Sequence, residues 1–305
     1  VTGTPAAPQA RTPRIGEGIY HKRKKILIYY KMIINVLSYN MSWATQSNKV
    51  LGTEADFVEA CQKEYKKGGL TCIDNAIQNI KKLDKLDLIG LQEVNSDIEE
   101  RIMKVQPRLT KFKRGKVGIA VVSLLWNPDV FGELIADETF NLIKNDDRPC
   151  LILVFKKEEQ VFVVINLHSP GPFHKTCEGV LKMLYKHINK NILVKKSIFD
   201  SNAKIIMTGD FNDYTTSINK NKPLVLKTVK LSHLKTKAQT QKTLKSCCWH
   251  KPNHPDKYFT NTSDYILVNK NIKQKTLKIP ELFRKAGRVN RLFSDHMPVI
   301  SALEI

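Results

Sequence analysis

The stretch Lys204-Ile205-Ile206-Met207-Thr208-Gly209-Asp210-Phe211-Asn212-Asp213 decides the fold class. Its first half is a short apolar run with no helical period, read as a buried strand. Its second half is a polar turn that delivers Asp210 and Asn212 at the strand's end, where loops carry function. The same layout recurs along the chain. Ile33 to Tyr39 runs into Asn40, Leu86 to Leu91 into Gln92-Glu93-Val94, and Val161 to Leu167 into His168-Ser169-Pro170. Polar groups also stand in front of strands. Asp146-Asp147-Arg148-Pro149 precedes Cys150 to Phe155, Ser263-Asp264 opens Tyr265 to Val268, and Ser294-Asp295-His296 precedes Met297 to Leu303. Val117 to Trp126 reads as one further strand, rich in β-branched residues.

Helical spacing is confined to two places: Ile73, Ala76, Ile77, Ile80 and Leu83, then Val180, Leu181, Leu184, Ile188 and Ile192. Several strands follow one another with no helix between them. That points to a layered α/β sandwich with mixed sheets rather than a purely parallel doubly wound sheet. Residues 1–31 stand apart. Thr4-Pro5-Ala6-Ala7-Pro8 is linker-like and His21 to Lys25 is basic, so this arm is expected to be disordered or foreign to the fold, with residues 32–305 as one domain.

With 42% hydrophobic and 26% charged residues the chain can bury a real core, which excludes collagen, coiled coil and wholesale disorder. Fifty Lys+Arg against 29 Asp+Glu leave a net charge of +21, which favours an anionic partner. Heavy use of Lys, Asn and Ile throughout also fits an AT-rich genome. The 6 cysteines are dispersed apart from Cys247-Cys248, with no disulfide framework and no signal peptide, so a reducing, intracellular setting (cytoplasm or nucleus) is expected. The longest apolar run, Ile26 to Leu37, carries Lys31 and is too short for a bilayer, which needs roughly 20 residues. Cys247-Cys248-Trp249-His250 with His254 lacks a partner CxxC, so it reads as a loop or half-buried segment rather than a zinc site.

In their order along the chain, Asn40, Glu93, Arg148, His168, Gly209-Asp210-Phe211-Asn212, Ser263-Asp264-Tyr265 and Ser294-Asp295-His296 resemble the motifs of the endonuclease/exonuclease/phosphatase superfamily, over about residues 32–305. That family includes deoxyribonuclease I, AP endonucleases, tyrosyl-DNA phosphodiesterases, deadenylases, neutral sphingomyelinases and inositol polyphosphate 5-phosphatases. The resemblance implies a four-layer α/β sandwich, two mixed β-sheets packed face to face and flanked by helices. It also implies a Mg²⁺-dependent phosphodiesterase, with Mn²⁺ as a substitute metal. Mg²⁺ prefers hard oxygen ligands and keeps several waters, so one or two carboxylates suffice. By the resemblance Glu93 is the principal ligand, with Asn40 and Asp295 near it. Asp210 orients or deprotonates the attacking water, and Asn212 fixes the phosphate and water geometry. His296 donates to a phosphoryl oxygen, held by Asp264, which favours a cationic donor. His168 is a second phosphate donor, and Arg148 forks onto phosphate or onto neighbouring carboxylates.

Departures leave the subfamily open. AP endonucleases place an Asp where Ser42 stands and a Tyr where His168 stands. Deoxyribonuclease I carries a Glu that the run Gly118-Ile119-Ala120-Val121-Val122 lacks. The 5-phosphatase signature needs a Trp and an Arg that Asn261-Thr262-Ser263-Asp264-Tyr265-Ile266 does not have. The expected partner is a nucleic acid substrate bound by a monomer; the alternative is a lipid or inositol-phosphate phosphoesterase facing a phosphoinositide or anionic membrane surface. A catalytically inert binding module fits poorly, because every motif residue is in place. Thr215 to Pro255 contains no acidic residue and nine lysines, among them Lys235, Lys237, Lys242 and Lys245; Arg101 to Pro128 is also acid-free, with Arg101, Lys104, Arg108, Lys111, Lys113, Arg114 and Lys116. These stretches read either as a positive wall that tracks a polynucleotide backbone or as Lys-rich solvated surface.

Overall fold

Along the strand Gln160–His168 successive side chains part company. Phe162 and Val164 enter one buried cluster, while Val163, Ile165 and Leu167 enter another. A strand buried on both faces is what a near-continuous apolar run encodes, because side chains alternate across the sheet with a period of two. The computed structural model describes residues 3, 31–42, 72–95, 97–143, 146–169, 183–184, 187, 192–212, 247–249, 259–261, 263–284, 294 and 296–305, and the account below concerns these. Contacts divide the chain into Val1–Lys31 and Met32–Ile305, and every element below belongs to the second unit.

In chain order the strands are β1 (Ile33–Asn40), β2 (Leu88–Gln92), β3 (Lys111–Val117), β4 (Ala120–Trp126), β5 (Glu133–Ile143), β6 (Asp146–Lys157), β7 (Gln160–His168), β8 (Lys204–Asp210), β9 (Cys247–Trp249), β10 (Phe259–Asn261), β11 (Asp264–Val268), β12 (Lys273–Gln274) and β13 (Val299–Glu304). The helices are α1 (Cys72–Lys81), α2 (Ile98–Val105), α3 (Pro128–Phe131), α4 (Ile192–Phe199) and α5 (Glu281–Arg284). The first sheet has six strands in the order β12-β13-β1-β2-β4-β3, and the second has five in the order β11-β8-β7-β6-β5. Each sheet is mixed and holds one parallel pair: β1 with β2, and β7 with β8. The sheets pack face to face. Leu151, Leu153, Phe155, Val164, Ile206 and Ile266 share a cluster with Val36, Leu91, Val122 and Leu124 of the first sheet, and the same cluster continues to Ala76, Ile77 and Ile80 of α1 and Ile98 and Ile102 of α2. On the far face of the second sheet Ile152, Val163, Ile165 and Met207 meet Val194 and Ile198 of α4. Helix, sheet, sheet and helix make the four-layer α/β sandwich.

Parallel strands need a crossover, and those returning to β2 and β8 pass through α1 and α4. The parallel registers pair Asn40 with Gln92 and His168 with Asp210. Carboxyl ends of four strands therefore lie together, the usual place for a ligand crevice in an α/β sheet.

The expected single strand Val117 to Trp126 is two. Gly118, at φ 57, and Ile119 form the hairpin between β3 and β4. β3 carries no apolar signature because Lys-Phe-Lys-Arg-Gly-Lys-Val has the charged pattern of an edge strand. β5, the edge of the other sheet, is masked for the same reason: polar residues alternate along it. Cys247–Trp249, expected as a loop or half-buried segment, is a strand paired with β10. Most of the helix expected from Val180 to Ile192 lies outside the described residues.

Gly90 in β2 faces the second sheet at a point where no side chain fits. A Cβ there would lie 2.1 Å from the Thr208 hydroxyl and 3.0 Å from the Asn166 side-chain oxygen. Gly90→Ala should therefore destabilise the protein by about 1–3 kcal/mol, the usual range for overpacking a filled core. Urea unfolding checks this, and an unchanged midpoint would show that the sheets can separate without penalty.

Candidate active site

Two turns of the same chemistry face each other at the carboxyl ends of β1 and β8. The Asn40 side-chain oxygen accepts the backbone N–H of Ser42 at 3.0 Å, and Asp210 Oδ1 accepts that of Asn212 at 2.8 Å. Ser42 and Asn212 both adopt positive φ, 53° and 47°, as the third residue of such Asx turns tolerates. Across the gap Asn40 Nδ2 donates to Asp210 Oδ2 at 3.1 Å and to Glu93 Oε1 at 3.0 Å. Glu93 follows β2 at φ 56, a left-handed conformation that is uncommon for a residue with a side chain and clusters at functional sites. Its backbone N–H is held by Val121 O at 3.0 Å, and its side chain keeps 27% of its surface exposed.

Imidazoles flank this carboxylate–amide centre. His168 Nε2 lies 3.6 Å from Glu93 Oε1 and 3.7 Å from Asp210 Oδ2. His296 Nε2 lies 3.7 Å from Asp210 Oδ2 on another side, while its Nδ1 is 2.9 Å from Asp264 Oδ2. Since a carboxylate can only accept here, Nδ1 carries the proton and Nε2 points toward Asp210. Antiparallel pairing of Asp264 with Asp210 places the orienting carboxylate one strand away. Ser294, part of the Ser-Asp-His motif but given no role by its sequence, ties this corner together: its hydroxyl donates to Asn40 O at 2.8 Å and accepts the His296 backbone N–H at 3.1 Å. Asn212 Nδ2 donates to Ser169 O at 2.8 Å, which anchors the loop after β7.

Arg148 meets His168. One guanidinium nitrogen lies 3.0 Å from His168 Nε2, and the group lines a cleft of about 260 Å³ together with Glu93, His168, Asp147, Val94, Ile119, Ala120 and Val121. The lining combines one guanidinium, one imidazole and two carboxylates with a run of apolar side chains. Five of the expected residues from β1, β7, β8 and the turns after β2 and β8, namely Asn40, Glu93, His168, Asp210 and Asn212, thus meet with Asp264 and His296, and Arg148 reaches them through His168. Asp295, Lys235, Lys237, Lys242 and Lys245 lie outside the described residues.

The role of Arg114 is not legible in the sequence. It stands among the cations of the acid-free stretch, but its guanidinium donates to Glu99 Oε1 at 2.6 Å and to Asn95 O at 2.9 Å. Glu99 is fully buried, so the pair fixes the loop that leaves Glu93. Three neighbours in that stretch also find acids elsewhere in the chain: Arg101 meets Asp74, Arg108 meets Asp87 at 3.0 Å, and Lys113 meets Asp137 at 2.6 Å. Four of the seven cations in that stretch thus have an acidic partner, and Lys104, Lys111 and Lys116 are exposed. A stretch free of acids in sequence is not free of them in space.

Burial sets the protonation of the centre. It pushes the Asp210 carboxyl above the ordinary carboxylate range; the charge of His296 opposes this, that of Asp264 reinforces it, and His168 and the Asn212 N–H oppose it again. Burial also pushes the His168 imidazole down, against the pull of Glu93 and Asp210, with Arg148 and His296 adding to the lowering. Three groups, Asp210, Asp264 and His296, approach closely enough to hold a cation. Two of these, however, are already hydrogen-bonded to one another. Glu93, the more exposed oxygen donor beside the Asn40 amide, is the better anchor for a hard cation; a single open carboxylate suits an ion that keeps most of its waters.

No family model and no curated protein sequence matches the chain. Solved structures do. The chain is similar to an endonuclease/exonuclease/phosphatase from Bacteroides vulgatus, with 18% identity over 90% of this chain and 100% of that one, at a TM-score of 0.53. It is similar to TDP2 from D. rerio complexed with single strand DNA product, with 14% identity over 90% and 99%, at 0.53. It is also similar to ANGEL2, a 2′,3′-cyclic phosphatase complexed with adenosine-2′,3′-vanadate, with 16% identity over 90% and 96%, at 0.58. The chain has the fold of the endonuclease/exonuclease/phosphatase superfamily.

A lowered His168 pKa fixes the sign of one pH effect. The unfolded chain takes up this proton near an ordinary imidazole value of about 6.5, before the folded chain does, so this group's contribution to stability falls as pH drops through that value. Asp210, raised on folding, contributes in the opposite sense: its stabilisation is present at low pH and lost as pH rises through the folded value. Wild-type protein should therefore lose more stability than His168→Gln on going from about pH 7.5 to about pH 5.5. Urea midpoints at the two pH values measure this, and parallel losses would reject the assignment.

Proposed function

We propose that the chain is a divalent-metal-dependent phosphodiesterase that hydrolyses phosphodiester bonds in nucleic acid, acting inside the cell. The observation that carries the reading is the convergence of Asn40, Glu93, His168, Asp210 and the His296–Asp264 pair from two facing sheets, with Glu93 and His168 lining an open cleft. Among solved structures of the same fold, one is complexed with single strand DNA product and one is a 2′,3′-cyclic phosphatase with an adenosine vanadate. The net charge of +21 favours a polyanion. Among the described residues no helix is long and apolar enough to cross a membrane.

Glu93, with Asn40 and Asp295, would hold Mg²⁺, or Mn²⁺ in its place. The metal supplies charge neutralisation at the phosphate oxygens and the leaving oxygen. Protein groups supply the rest. Asp210, with its pKa raised by burial, accepts a hydrogen bond from the attacking water and takes its proton, with Asn212 fixing water and phosphate beside it. His296, oriented by Asp264 through Nδ1–H, donates from Nε2 in its doubly protonated, cationic form to a phosphoryl oxygen that becomes more negative as the water attacks. Arg148, on the cleft wall beside His168, binds a neighbouring phosphate oxygen.

Single- and double-stranded DNA and RNA, a 5′-tyrosyl end, sphingomyelin and a phosphoinositide, each with Mg²⁺ and with EDTA, test the reading. Cleavage of a polynucleotide only in Mg²⁺ is expected; turnover of the lipids alone would transfer the site to the lipid phosphoesterase class. Glu93→Gln should remove most activity at unchanged thermal stability. Asp210→Asn and His296→Ala should each lower kcat by at least about 10²-fold with little change in KM, because these groups matter mainly in the transition state. Near wild-type turnover in any of the three would reject that residue's role.

The lysines between β8 and β11 carry a separate expectation. Replacing Lys235, Lys237, Lys242 and Lys245 by Gln should flatten the slope of log affinity against log salt by roughly 0.7–0.9 for every phosphate that the variant no longer neutralises. Cleavage of a small phosphodiester should be unaffected. An unchanged slope would leave the stretch as solvated surface.

A further inference from the structure

The candidate catalytic groups are divided between two sheets, and below them lies a row of buried polar side chains that the chemistry above does not use. Ser38, Asn166 and Thr208 precede Asn40, His168 and Asp210 by two residues, so each shares a strand face with its catalytic neighbour. All three are 0% exposed, as is Gln92. Deeper on the same inner face the residues turn apolar: Phe162 and Val164 on β7, and Ile206 on β8.

Asn166 uses its whole hydrogen-bonding capacity. Its Nδ2 donates to Leu91 O and to Ser123 O in the opposite sheet, both at 2.8 Å. Its Oδ1 accepts from Gln92 Nε2, also of the opposite sheet, at 2.7 Å and from the Thr208 hydroxyl at 3.1 Å. Beside it the Gly209 backbone N–H donates across the gap to the Ser38 hydroxyl at 3.1 Å. Gly90 leaves the space into which Thr208 fits.

We propose that this polar clamp, in which Asn166 makes the bonds that cross between the sheets and the Thr208 hydroxyl, from the adjacent strand of the same sheet, holds the Asn166 oxygen in place, positions the catalytic groups of one sheet against those of the other. Apolar packing alone holds two sheets together without fixing direction, whereas hydrogen bonds constrain distance and angle. Asn40 and Glu93 stand on the first sheet, and His168, Asp210 and Asp264 on the second. The two contacts that cross between the sheets, Asn40 to Asp210 at 3.1 Å and His168 to Glu93 at 3.6 Å, survive only if the sheets keep their separation and register at this end. Buried polar groups make the clamp stringent, because a broken bond leaves a donor or acceptor stranded away from water. Asn166 and Thr208 act through their neighbours and touch no substrate. The proposal rests on the phosphodiesterase reading for its catalytic readout, but not for its spectroscopic one.

Thr208→Val removes the hydroxyl while keeping the shape, Thr208→Ser keeps the hydroxyl, and Asn166→Ala removes the centre. With bis(p-nitrophenyl) phosphate as a minimal substrate in Mg²⁺, Thr208→Val is expected to lower kcat by about 10-fold, and Asn166→Ala by up to about 10²-fold, the scale of a small misplacement of reacting groups. KM should stay within about twofold, and Thr208→Ser should restore kcat. The imidazole NMR signals of His168 and His296 should move in Thr208→Val and return in Thr208→Ser. Reduced thermal stability with unchanged kcat and unmoved imidazole signals would overturn the clamp, leaving a purely structural network. Failure of Thr208→Ser to restore either signal would overturn it as well. A wild-type protein inert toward every phosphodiester would overturn the phosphodiesterase reading instead, and the imidazole spectra of the same variants would still decide the clamp, including for Thr208→Val if Asn166→Ala does not fold.

Discussion

Keeping the Asp210 carboxylate buried at 1% exposure is the constraint to which this end of the sandwich answers. A charge taken out of water must be met by directed partners, or it is lost to protonation. Asp210 receives two hydrogen bonds, from Asn212 N–H and Asn40 Nδ2, and stands between two imidazoles at 3.7 Å. Each of those partners needs support of its own. Asn40 is turned by Ser42, His296 by Asp264 and Ser294, and His168 is faced by Arg148 and Glu93. The compensation is incomplete, and a carboxyl whose pKa burial has raised is a stronger base than an exposed one.

Topology brings these groups together because each sheet contains one parallel pair. Antiparallel neighbours alternate the ends at which their last residues fall, whereas β1 with β2 and β7 with β8 finish side by side. Facing the two pairs across the core sets Asn40 and Glu93 against His168 and Asp210. The inner face grades from apolar side chains through a hydrogen-bonded polar row to ionisable groups at the cleft. The low-dielectric core behind the charges strengthens the contacts they make.

Charge shows the same dependence on three dimensions. A surplus of +21 suggests long positive surfaces. Yet Arg101, Arg108, Lys113 and Arg114 each meet an acid brought from a distant part of the chain. Arg114 is the most changed by folding, from a surface cation to the brace of the loop beyond Glu93. The pairing with buried Glu99 removes it from the pool available to an anionic ligand.

Residue types and their order are enough to place the layered α/β class, most central strands, α1, and seven of the groups found together: Asn40, Glu93, His168, Asp210, Asn212, Asp264 and His296. Central strands are legible because burial on both faces demands unbroken apolar runs, and strand-end polar residues stand out against them. Edge strands β3 and β5 are not legible, since a face turned to solvent takes the charged residues that elsewhere mark loops. Spacing along the chain likewise marks Asn166 and Thr208 only as polar residues two positions before catalytic candidates. That Asn166 spans to Leu91, Gln92 and Ser123, and that Gly90 admits Thr208, were decided by the approach of the two sheets. A linear sequence specifies which groups each strand carries; distances between strands on different sheets arise only when the inner faces pack.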